Sequence, residues 1–166
     1  TVQLTELTAP VFPAASTWRT AKLWAPSVRA ESAAGLLPQA IAVAMLLEDT
    51  TLKWVAIAGG YGYAALIFSF LGGVWWGLAL NATKPPRWLY PVAVAPSLIA
   101  LASYLPWIWG WHWPEPSLWL IAISLLLSPL VDRSLAKHIP LPSGWLRLRI
   151  QLSIGLGILT LTLAMA

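Results

Sequence analysis

Cysteine is absent from the 166 residues, which excludes disulfides, thiolate zinc sites, cysteine-held iron–sulfur clusters and thiol nucleophiles together. Charge is scarce as well: 10% of residues are Asp, Glu, Lys or Arg, against about a quarter in soluble domains. So few charges cannot cover a water-facing surface around a chain that is 58% hydrophobic with a mean hydropathy of +0.72. Most of the surface is therefore expected to face lipid, and a disordered chain is excluded. No nucleophile motif, phosphate loop or carboxylate pair at catalytic spacing occurs, so the chain does not read as an enzyme. Ten Lys and Arg against six Asp and Glu give a net charge of +4. These basic residues sit between apolar runs, which is a membrane pattern and not a nucleic-acid one.

What is present is a succession of apolar runs, and they predict an all-α integral membrane protein. Five spans are expected, at about 33–48, 52–80, 88–105, 117–137 and 145–166. They form a five-helix bundle over residues 31–166, preceded by a polar N-terminal arm over residues 1–30. The arm is interrupted by Pro10, Pro13 and Pro26 and sets Trp18 and Trp24 among Arg19, Lys22 and Arg29, so it is expected to lie extended on the membrane surface. It lacks the unbroken apolar core of a secretory signal, and the small Thr1 fits either a trimmed initiator Met or a processed import precursor. The first run is short for a bilayer of ~30 Å, which asks for about 20 helical residues. Tilting Glu31 and Glu48 into the interfaces makes it a span. Pro38 is expected to kink it, as Pro91 and Pro96 bend the third. Glu48 and Asp49 read as a cap between the first two spans.

The flanking charges predict an orientation. Nine of the ten basic residues fall on alternate connectors; the exception is Lys53. The positive-inside rule assigns that side, and with it the N-terminus, to the cytoplasm, matrix or stroma. Five spans then put Ala166 on the opposite side.

Trp is abundant, with 12 residues, and most fall at interface depth, where indoles form aromatic belts. The alternative for Trp75, Trp76, Trp107, Trp109, Trp111 and Trp113, with His112, is a flat surface for a partner or a pigment ring. The alternation of Trp107, Trp109, Trp111 and Trp113 with other residues suggests an extended segment along the interface. In span two, Tyr61 is followed at four-residue steps by Ala65, Ser69, Gly73 and Gly77, a small stripe suited to helix packing within the bundle or against another subunit. His112 and His138 are placed on opposite faces and cannot share a metal, so no metal site is expected. Asp132 lies at the apolar end of span four, where a carboxylate is costly unless paired. It reads as an interhelical ion pair with Arg147 and Arg149, or as a proton-transfer or anionic-lipid site. Gln39 and Gln151 read as interhelical hydrogen bonds.

The run Tyr61-Gly62-Tyr63-Ala64-Ala65-Leu66-Ile67-Phe68-Ser69-Phe70-Leu71-Gly72-Gly73-Val74-Trp75-Trp76-Gly77-Leu78-Ala79-Leu80 resembles the hallmark of an uncharacterised membrane family that includes mitochondrial transmembrane protein sixty-nine. Gly35-Leu36-Leu37-Pro38, Ala95-Pro96-Ser97-Leu98, Val131-Asp132 and Trp145-Leu146-Arg147-Leu148-Arg149 follow the same order of motifs. The resemblance implies a His where this chain has Trp75, so any chemical role of that His is lost here. It implies topology and no assigned reaction.

These features together predict a non-catalytic accessory subunit of a larger energy-transducing membrane complex, respiratory or photosynthetic. Its partners would be other integral membrane subunits and membrane lipids, without nucleic acid. No intrinsic cofactor is expected; lipid, a chlorophyll-type pigment or a carotenoid would fill its surface. The alternative is a small transporter or lipid-binding protein using Asp132, Arg147 and Arg149.

Overall fold

The computed structural model describes residues 28–48, 52–141 and 143–166, with side chains in the first helix described from Ser32 to Leu46. The N-terminal arm through residue 27, Asp49 and the side chain of Glu48, and with them the Glu48-Asp49 cap, lie outside the described residues. Among those described there are five helices and no strand: α1 (Val28–Glu48), α2 (Lys53–Asn81), α3 (Leu89–Ile108), α4 (Glu115–Leu135) and α5 (Trp145–Ala164). Helices α2 to α5 are long and apolar enough to cross a bilayer, whereas the apolar stretch of α1, Ser32–Leu46, falls short. Length and composition thus support four crossings where the sequence suggested five.

Each pairing reveals its direction. Tyr61, Ser69 and Gly72 of α2 meet Ser103, Ser97 and Ala93 of α3 in descending order, so these helices are antiparallel. Asp132, Ser128 and Ala122 of α4 meet Arg149, Ser153 and Gly157 of α5 in the same antiparallel sense. Along α1, Gly35, Leu36 and Gln39 meet Leu152, Gly155 and Thr160 of α5 in ascending order, so α1 runs parallel to α5. The result is an up-and-down bundle with two distinct ends. Lys84 and His138 share one hollow at the first end, where the α2–α3 and α4–α5 connectors meet. Trp54, His112, Glu115 and Ala166 share another at the second.

Local chemistry explains the helix ends. Gly110, at φ 68°, closes α3: its N–H donates to the Trp107 carbonyl at 3.1 Å and that of Trp111 to the Pro106 carbonyl at 2.8 Å. This is the Schellman arrangement, which requires a left-handed residue just beyond the helix. The Trp107–Trp113 segment is therefore no extended strand; its first residues complete α3 and the rest follow the turn. Pro129 removes the N–H that would have bonded the Leu125 carbonyl, and the Ser128 hydroxyl takes that carbonyl at 2.7 Å.

The small stripe of α2 divides between the packed face and the outer surface. Nothing stands within 4 Å of a Cβ built on Gly73 or Gly77, whereas one on Gly72 would overlap the Ala93 carbonyl and one on Gly60 the Leu163 side chain. A four-residue step overshoots the 3.6-residue turn by about 40°, so a stripe drawn at that spacing drifts off the packed face within a few steps. The buried face instead runs through Ile57, Tyr61, Ala64, Phe68, Leu71, Trp75 and Ala79. Ala65 packs part-buried against the core and Ser69 bonds Ser97 at 2.9 Å.

Candidate functional site

The buried polar groups lie in layers between helices. Nearest the basic end, Asp132 is fully buried; its Oδ1 accepts from Trp75 Nε1 at 2.8 Å and its Oδ2 from Arg149 Nε at 3.2 Å. The guanidinium also lies over the Trp145 ring, 5.9 Å from its centroid. One turn deeper, the Ser128 and Ser153 hydroxyls are 2.9 Å apart. Farther along, Gln39 Nε2 donates to Thr160 Oγ1 at 3.0 Å, and Tyr61 and Ser103 hydroxyls bond at 2.8 Å. The carboxylate joins α2, α4 and α5, and each hydrogen bond farther along joins two helices, with α1 tied to α5 by Gln39.

Arg147 is not part of this arrangement and is exposed. Two residues along a helix correspond to about 200° of rotation, so Arg147 and Arg149 cannot both face α4. Arg149 Nη2 is buried without a hydrogen-bond partner, and Arg149 lines a cavity of about 70 Å³ with Tyr63 and Ser153. Gln151 Oε1 is likewise buried without a partner, as is Gln39 Oε1, although Gln39 Nε2 bonds Thr160.

The aromatic residues divide by depth. Trp75 is buried, while Trp76 stands at the surface edge-on to Tyr90. At the opposite end Trp113 stacks between Trp54 and Trp107, with centroids at 6.5 and 5.1 Å, and Tyr61 meets it edge-on. Trp109 and Trp111 pair at 5.1 Å on the exposed turn, and His112 is exposed beside them. The two histidines are at opposite ends, and among the described residues no group of three His, Cys, Asp or Glu side chains could hold a metal.

Two contributions were not legible in the sequence: Trp75 as a donor to Asp132, and the Ser128–Ser153 pair. The available signal was the presence of hydroxyl residues inside apolar runs, which in lipid must find a partner across a helix interface.

A bundle whose outer surface carries Leu66, Phe70, Leu80, Leu98 and Leu101 exposed, and whose few buried charges are paired, is a multi-pass helical membrane protein. Within that class the chain belongs to the DUF3429 family, described as a protein of unknown function, whose pattern matches residues 24–165. No curated protein matches it, and no solved structure does.

Proposed function

We propose that the protein is a non-catalytic subunit that packs against another integral membrane protein through the outward face of α2. The observation that carries this reading is the open space beside Gly59, Gly62, Gly73 and Gly77, all on the longest helix. Glycines facing lipid leave backbone exposed that a second helix can approach closely, and such contact is the main cohesive force between helices in a bilayer. The sequence left this stripe open to use inside the bundle or outside it; the positions of Gly73 and Gly77 favour the outside.

The transporter or lipid-binding reading through Asp132, Arg147 and Arg149 is less well supported. Both Asp132 oxygens are already engaged, and Arg147 points elsewhere. The reading also keeps α1 as a tilted fifth crossing, with the basic end and the N-terminus on the cytoplasmic, matrix or stromal side. The likeness of the second span to transmembrane protein sixty-nine belongs to the same proposal.

Purification in mild detergent tests it. A stoichiometric membrane partner is expected, lost when Gly73 and Gly77 are both replaced by Leu while the chain itself remains folded. A free monomer from native membranes would discard the reading. The absorption spectrum and composition of the purified assembly decide whether the complex is respiratory or photosynthetic and whether a chlorophyll-type pigment or carotenoid accompanies it.

A further inference from the structure

A furrow runs between α3 and α4 from the basic end into the apolar depth. Its mouth is a hollow of about 380 Å³ bordered by Trp88, Ser134, Lys137 and His138. Its deep end is a hollow of about 190 Å³ walled by Ala95, Pro96 and Leu127. Val92 and Val131 line both, so the two adjoin. Gly72 lets α3 approach α2 closely at Ala93, and the small Ala95 lines the deep hollow.

The mouth is cationic and lacks a counter-charge. His138 turns Nδ1 to the Ser134 carbonyl at 2.9 Å, and Trp88 meets the ring edge-on at 6.1 Å. Lys84 shares an adjoining hollow of about 370 Å³ with His138. Arg87 and Arg133 are exposed at the same end. Among residues whose side chains are described, the carboxylate at this end is Asp132, buried and held by Arg149 and Trp75.

We infer that this furrow binds an anionic glycerophospholipid, its phosphate at Lys137 within reach of Lys84 and one acyl chain along Val92 and Val131 toward Pro96. A basic recess between transmembrane helices suits an anionic headgroup, and an indole at its rim sits at the usual interfacial depth. A zwitterionic headgroup would leave the local cations uncompensated. The site is separate from the α2 face, and either can fail without the other.

Native mass spectrometry of the detergent-purified chain with added phosphatidylglycerol or phosphatidylcholine tests the inference. One phosphatidylglycerol is expected to be retained at least about tenfold better, each lysine at the mouth contributing about fivefold. Replacing Lys84 and Lys137 together by Ala removes that preference, and Ala95→Phe, which fills the furrow, weakens retention. Arg147→Ala, exposed on α5, leaves it unchanged. A phosphatidylglycerol with a photoactivatable acyl chain is expected to label α3 or α4 in the unaltered protein, which keeps the test valid if Ala95→Phe does not fold. Equal retention of phosphatidylcholine, an equal loss in Arg147→Ala, displacement of the lipid by millimolar inorganic phosphate, or labelling confined to other helices would each overturn it.

Discussion

At the residue scale the decisive group is Asp132, because a buried carboxylate is tolerable only while its partners remain. Removing one member of a buried ion pair strands the other and costs about 3–5 kcal/mol, whereas replacing both by apolar side chains is often close to neutral. Asp132→Ala and Arg149→Ala are therefore each expected to destabilise the bundle strongly in detergent. The double replacement Asp132→Leu with Arg149→Met should recover most of that loss. Equal losses from the single and the double changes, measured by thermal unfolding, would show that the pair is not what holds α4 to α5. Trp75→Phe keeps most of the packing volume and deletes one N–H donor to a charged acceptor, so a smaller loss of about 1.5–3 kcal/mol is expected.

At the element scale α2 presents two faces that differ by a single position. Gly72 is pressed against the Ala93 carbonyl of α3, whereas Gly73, the next residue, has open space beside it. An added methyl at Gly72 has backbone as its obstacle, which cannot rotate away, and overpacking of this kind typically costs about 1–3 kcal/mol. At Gly73 the same methyl meets nothing and relieves the entropic penalty of glycine in a helix, about 0.5–1 kcal/mol. Gly72→Ala is expected to lower the unfolding temperature of the isolated chain and Gly73→Ala to leave it unchanged or raise it. The opposite order would mean that α2 is rotated from the orientation described.

At the scale of the whole molecule the bundle separates its charges by end. Lys84, Arg87, Arg133, Lys137 and Arg147 gather where α2–α3 and α4–α5 are joined, and the tryptophan-rich turn lies at the other extremity. The natural absence of cysteine makes this directly testable. Single cysteines at Lys84 and at Arg147 are expected to react with an impermeant thiol reagent from one side of sealed vesicles, and a cysteine at Trp111 from the other. Labelling of Lys84 and Arg147 positions from different sides would break the up-and-down order of α2 to α5.

The sequence alone determined the solvent, the helical class and the alternation of basic connectors, because these depend on composition and run length, which no tertiary contact can alter. It also singled out Asp132 and an arginine of span five, since a carboxylate at that depth requires a cation. Which arginine answered, and that an indole joined it, depended on helix rotation, and rotation is decided by packing. Periodicity is a weak guide to it when every face is apolar: in α2 the lipid side and the core side have similar residues, so spacing alone did not tell which glycines pack inside the bundle. Tertiary structure chose Gly60 and Gly72 over Gly73 and Gly77 because close contact between backbones, not water, is what distinguishes the faces of a helix in lipid.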